Sequence, residues 1–144
     1  MAVTVIVIED DPPVRQFLCT TLQREGYAAV GVRTYEEAIT TLAATTADLV
    51  VSDGFTAHGV SGISMLHRHF PHLPVIVLSG SIVSKGQIPL PAHLVHVLPK
   101  PSAATSILDT VRRVLVSSPD DPHQAIIERG RLAFLSSVFT TPQG

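Results

Sequence analysis

The chain has 144 residues, with ten Lys and Arg against twelve Asp and Glu, and one cysteine. That length suits one domain with a real hydrophobic core plus an appendage, and a net charge of −2 leaves no general electrostatic footprint for nucleic acid or an acidic membrane. Cys19 alone excludes an internal disulfide framework and fits a reducing compartment; apolar runs of strand length and no signal-type start predict a soluble cytoplasmic protein.

Residues 3–8, nearly all Val and Ile, predict a first strand buried on both faces, as in a parallel sheet. Asp11 before Pro12-Pro13 reads as the cap of a helix with first-turn prolines. Val14, Phe17, Leu18 and Leu22 give that helix one apolar face, and Glu25-Gly26-Tyr27 closes it. Tyr27 to Val32 predicts a second strand. Thr34 then caps a second helix, with Glu37 as the capping-box acid and Ala38, Ile39 and Leu42 turned inward. A third strand, Ala47 to Ser52, runs into Asp53. The glycine-rich segment 54–62 reads as a loop, followed by a short helix through Ile63, Leu66 and Phe70 that stops before Pro71.

Val75 to Leu78 predicts a fourth strand, ending at Ser79-Gly80. Between 81 and 93, Gly86, Pro89 and Pro91 limit any helix to at most two turns. Leu94 to Leu98 forms the fifth strand, which passes through Pro99 into Lys100-Pro101, and Ile107, Leu108, Val111, Val114 and Leu115 mark a fifth helix. Five strand-helix units predict a doubly wound α/β sheet. After the composition break at Ser117-Ser118-Pro119, Asp121-Pro122-His123-Gln124 signals a short helix in a tail, residues 117–144, that carries apolar residues from Ile126 to Phe139. Residues 1–116 form the domain, and the tail is too short for an ordinary DNA-binding domain.

Chemistry collects at the strand ends. Glu9 and Asp10 follow the first strand, Asp53 the third, Ser79 the fourth and Lys100 the fifth. In an open parallel sheet, ligands bind outside the carboxyl ends of the strands, so acids, a hydroxyl and an ammonium should converge in one crevice. Asp11 before Pro12 reads better as a helix cap than as a member of that set. His58, His67, His69 and His72 read as solvated, since His67 and His69 lie two apart on a helix and do not face one ion. Cys19 reads as a small packing residue.

With these residues in place, the sequence from about 3 to 116 resembles the receiver domain of bacterial two-component response regulators, which are CheY-like. Glu9-Asp10, Asp53, Ser79-Gly80 and Lys100-Pro101 fall in family order at nearly family spacing. The resemblance implies a flavodoxin-like five-stranded parallel sheet of order 2-1-3-4-5. It also implies a phosphoryl group accepted from a histidine kinase or phosphotransfer protein onto Asp53. Mg²⁺ would be held by Asp10, Asp53 and the backbone carbonyl of Phe55, with Glu9 assisting through metal-bound water. Lys100 and the Ser79 hydroxyl would meet the phosphoryl group. Such a domain phosphorylates and dephosphorylates itself rather than acting as a metabolic enzyme, and its partners are proteins: the phosphodonor, a downstream target and a second copy in a homodimer.

The sequence departs from the family in three places. Where the family has Met-Pro three and four residues after the acceptor stand Thr56 and Ala57; the glycine expected eight after it comes one late, at Gly62, which predicts a longer acceptor loop. Val97 takes the position of the aromatic switch, three before the lysine, and His96 beside it should point to the other sheet face. These departures leave open an alternative, a receiver-like binding module acting through constitutive protein contacts without phosphorylation. A small phosphatase acting on metabolites ranks below both, because there is no cap domain and no second acid two residues after Asp53.

Overall fold

The computed structural model describes residues 3–53, 59–80, 88 and 90–117. β1 (Thr4–Ile8), β3 (Leu49–Asp53) and β4 (Val75–Ser79) are the inner strands, and Val5 to Ile8 are at most 3% exposed. Such burial on both faces is why these segments read as unbroken Val/Ile runs. β2 (Ala28–Val32) and β5 (Val95–Pro99) form the edges. All neighbours pair parallel, in the order β2-β1-β3-β4-β5, the order the resemblance implies.

The pleat sends alternate residues to two cores. Ile6, Ile8, Val50, Val75, Val77 and Val95 pack under α2 (Tyr35–Ala44) and α3 (Gly59–His69). Val5, Val7, Leu49, Val51, Ile76 and Leu78 pack under α1 (Pro12–Arg24) and α4 (Ala104–Ser117). Val97 joins the first cluster, while His96 stands opposite Ile76 and so shares the second face, as strand alternation predicts.

The helix ends follow local chemistry. Gly26, at φ +89°, closes α1: its N–H donates to the Gln23 carbonyl at 3.0 Å, and that of Tyr27 to Leu22 at 3.1 Å, the paired bonds of a Schellman end. Tyr27 therefore belongs to this turn, and β2 begins one residue later than the apolar run implies. Thr34 Oγ1 accepts the Glu37 N–H at 3.1 Å, and Glu37 reaches back to the N–H of Arg33 at 2.9 Å, one residue beyond the usual capping-box partner. Asp11 occupies the cap position of α1 with extended backbone but makes no side-chain cap bond. Prolines at the first two helical positions leave one of the usual two donors missing, so an aspartate there has little to cap.

Two segments differ from the sequence expectation. The expected loop through Gly62 is already helical from Gly59. Gly62 is there for space: a Cβ on it would lie 2.2 Å from Tyr35 Cδ2, so the close seating of α3 on α2 outweighs the helix penalty of about 1 kcal/mol. His67, expected to be solvated, is half-buried, and its Nδ1 is buried without a hydrogen-bond partner. It sits one turn after the fully buried Ile63 and shares that flank. Between β4 and β5 the described residues hold a single 3₁₀ turn, Ala92–Leu94, with Ile88 buried and Leu90 packed against the α2/α3 core. The remaining expectations for residues 81–87 and 89, and for the tail beyond Ser117, lie outside the described residues. Among those residues no helix is long and apolar enough to cross a membrane.

Candidate functional site

The five strands end together on one side of the sheet. β1 stops at Ile8, but its ladder continues for one bond, with the Glu9 N–H donating to the Val32 carbonyl at 3.0 Å. Continued alternation turns Glu9 to the face of Val5 and Val7, and only 1% of its side chain is exposed. A carboxylate so buried needs partners. Lys100 Nζ donates to Glu9 Oε2 at 3.0 Å, and Oε1 accepts the Asp11 N–H at 3.2 Å. Asp10, next in the chain, is exposed.

Lys100 follows β5, and its backbone N–H donates to the Ser79 carbonyl at 2.8 Å, which ties the ends of β4 and β5 together. Ser79 is buried at the last position of β4, opposite Pro99. Asp53 is the last residue of β3, opposite Leu78. Phe55, expected to supply a carbonyl, lies outside the described residues. β1 and β5 are separated by β3 and β4, so at about 4.8 Å per strand they stand roughly 14 Å apart. The Glu9–Lys100 pair therefore bridges across the ends of the two strands that finish in Asp53 and Ser79.

Among the described residues, two hollows flank the sheet. One of about 260 Å³ opens beside Lys100, between α1 and the β5–α4 connection, walled by Val14, Phe17, Leu78, Pro101 and Ile107. The larger, about 370 Å³, is lined by Leu42, Phe70 and Leu73 at the opposite end of the strands, away from the acids and the lysine.

Three features were not singled out from sequence. Arg15 Nη1 donates to the Glu9 carbonyl at 2.9 Å, a contact whose only sequence signal is a basic residue one turn into the helix that follows the acids. The Tyr35 and Ser52 hydroxyls are 2.5 Å apart in the core beside the acceptor strand's end, a contact between residues seventeen apart that periodicity does not report. The third is Gly62, noted in the sequence only as displaced by one residue.

Cys19 packs half-buried against the α1/α4 core, and burial pushes its thiol pKa up, partly countered by the Arg15 guanidinium. It behaves as the packing residue expected.

Known proteins match along the same stretch. The profile of the response regulator receiver domain matches residues 5–112. The response regulator protein FleR of Pseudomonas aeruginosa is 32% identical over 118 residues, covering 78% of this chain but 24% of FleR. Response regulator MprA of Mycolicibacterium vanbaalenii is 31% identical over 125 residues, 84% of this chain and 54% of MprA. The chain thus spans about a quarter to a half of those relatives. Among solved structures, the Vibrio cholerae chemotaxis protein CheY4 superposes with a TM-score of 0.71 at 20% identity, over 80% of this chain and all of that one. A response regulator from Thermotoga maritima gives 0.69 at 26% identity, over 79% of this chain and 98% of that one. Because that profile match takes in most of the chain, this chain belongs to the response regulator receiver domain family.

Proposed function

We propose that this domain accepts a phosphoryl group on Asp53 from a histidine kinase or phosphotransfer protein, in a Mg²⁺-dependent reaction, and signals by changing its affinity for a downstream protein. The observation that carries this reading is the pairing of the buried Glu9 with the partly exposed Lys100, 3.0 Å long, bridging over the ends of β3 and β4. A cation held there has a use beyond balancing Glu9: it offers a compact positive charge to an anion arriving at the end of β3.

The donor set fits Mg²⁺, a hard ion that takes oxygen ligands and keeps several waters. Both Glu9 oxygens have protein partners, whereas Asp10 is exposed. This supports direct ligation by Asp10 and Asp53 with the Phe55 carbonyl, and a role for Glu9 through water. When bound, Mg²⁺ would relieve the repulsion between these carboxylates and the incoming phosphoryl oxygens.

The rest of the chemistry belongs to the side chains. An Asp53 oxygen attacks phosphorus; the new P–O bond forms as the P–N bond of the donor phosphohistidine breaks, and the imidazole leaves with that electron pair. Lys100 stabilises the charge on the transferring group, and the Ser79 hydroxyl donates to one of its oxygens. The domain supplies position and electrostatics, and the acyl phosphate is its signal.

Intact-mass measurement after incubation with a small phosphodonor and Mg²⁺ tests this. One phosphoryl group should appear on the wild-type chain, none without Mg²⁺ and none on Asp53→Asn. No gain under saturating donor, or an equal gain in Asp53→Asn, would overturn the assignment.

A further inference from the structure

On the edge strand β2, Gly31 stands opposite Val7 and faces α1. A side chain there would crowd that helix. A Cβ there would lie 3.0 and 3.1 Å from Arg15 Cγ and Cδ, and 3.1 Å from Cys19 Sγ. The Arg15 stem therefore lies across the backbone of β2, and its head reaches the end of β1, where Nη1 donates to the Glu9 carbonyl at 2.9 Å.

That bond completes a set. The Glu9 N–H is held by Val32 at 3.0 Å, its Oε1 by the Asp11 N–H at 3.2 Å and its Oε2 by Lys100 at 3.0 Å. Arg15 takes the carbonyl, which belongs to the peptide group joining Glu9 to Asp10. Fixing that peptide plane fixes the direction in which Asp10 leaves β1, because two dihedrals per residue are the only soft freedom the backbone has. The Arg15 side chain is half-buried, so the bond competes with water only in part.

We propose that Arg15 is a positioning residue for the phosphoacceptor site: by holding the Glu9–Asp10 peptide it aims the Asp10 carboxylate for Mg²⁺, and Gly31 leaves the space its stem crosses. The inference rests on the reading of the site as a Mg²⁺-dependent phosphoacceptor. It makes a prediction of definite sign. A guanidinium near a divalent cation repels it, so if Arg15 acted by charge alone its removal would tighten Mg²⁺ binding. If it acts by position, removal weakens binding; partners that orient metal ligands are worth about 10–100-fold in affinity.

The test uses the full 144-residue chain. Arg15→Met keeps an apolar stem and removes the donors. Its Mg²⁺ dissociation constant, by calorimetry, should rise about tenfold. The amides of residues 10 and 11 should exchange faster in the metal-free protein. Phosphorylation should need more Mg²⁺ for half-maximal rate, yet approach the wild-type rate at saturation. Gly31→Val is a second route to the same end: it displaces the stem with Arg15 chemically intact, on an edge strand where a β-branched residue suits the backbone. It should weaken Mg²⁺ binding in the same direction in a chain that circular dichroism shows to be folded. Unchanged or tighter Mg²⁺ binding in both variants overturns the inference while leaving the wild-type phosphorylation reading intact. A wild-type chain that takes up neither Mg²⁺ nor a phosphoryl group overturns both.

Discussion

Gly62→Ala is the smallest change the structure forbids. The added methyl carbon would sit 2.2, 2.5 and 2.7 Å from three atoms of the Tyr35 ring, where carbon atoms at ordinary contact stand about 3.5–4.0 Å apart. The ring has little room to yield, since Tyr35 is 5% exposed, opens α2 and has its hydroxyl 2.5 Å from that of Ser52 in β3. α3 must therefore move away from α2 by about 1 Å or more, and an overlap this deep puts the overpacking cost in the upper part of its usual range, roughly 2–3 kcal/mol. Against it stands the helix-propensity gain of Ala over Gly, about 1 kcal/mol at the fourth position of α3. The net expectation is a loss of about 1–2 kcal/mol, or roughly 4–8 °C in Tm for a domain of this size. Urea and thermal unfolding both measure it. The decisive arm is a double-mutant cycle with Tyr35→Ala, run in sucrose so that the ring-deleted chain stays folded. Without the ring, Gly62→Ala should turn stabilising. If Gly62→Ala alone is neutral or stabilising, propensity governs the site and the steric argument fails.

Asp10→Asn should weaken Mg²⁺ binding more than Asp11→Asn, because Asp10 follows Glu9 out of the sheet while Asp11 opens α1; equal losses in a calorimetric titration would count against that division. Arg112 bridges Glu25 at 3.0 Å and Asp109 at 2.9 Å, but about half its side chain is exposed, so Arg112→Ala should cost less than about 1 kcal/mol in urea unfolding. Cys19 has its thiol pKa raised by burial, so thiolate is scarce in the folded chain at neutral pH, and stability from this group is full below the ordinary thiol range and declines as pH climbs through it. Labelling by a thiol reagent should accordingly be slow near neutral pH and faster in alkali, and Arg15→Met should move that profile to still higher pH; a profile unmoved by the substitution would contradict the influence of the Arg15 guanidinium on the thiol. Val116 is 60% exposed beside the start of the apolar tail, so a chain ending at Val116 should bind more ANS or change its self-association, and no change in either would argue that the tail covers nothing.

Periodicity and end signals made most of the fold legible. The inner strands are continuous Val/Ile runs because both faces are covered, and α1 and α2 carry their own caps or stops within a few residues. Where the sequence misled about the start of α3, the deciding contact was long-range. Segment 54–62 looks like a loop because glycine disfavours helix, yet Gly62 is helical because a ring 27 positions earlier in the chain occupies the space a side chain would need. Asp11 does take the cap position of α1, as aspartate before proline usually does, but its side chain makes no cap bond there, and the second proline removes one of the two donors it would serve.

The site was legible as a set of strand ends, but not as a set of contacts. Three consecutive acids follow β1, and composition does not say which of them is buried. Alternation does. Val5 and Val7 face α1 and α4, so one more step along the pleat puts Glu9 on that face and sends Asp10 away from it. On β5 the same rule groups Leu98 with the α1/α4 core and points position 100 to that side. Parity thus brings Glu9 and Lys100 to a common face, 91 residues apart in sequence, and their 3.0 Å contact follows once the strand order is known. The rule does not extend to Arg15, whose stem passes 3.0 Å from where a Cβ on Gly31 would lie while its head reaches the Glu9 carbonyl. Periodicity registers the side chains a sequence has, whereas the path of the Arg15 stem uses space left by one it lacks. For that reason a glycine that faces a packed helix from within a strand marks a close approach that periodicity alone does not register.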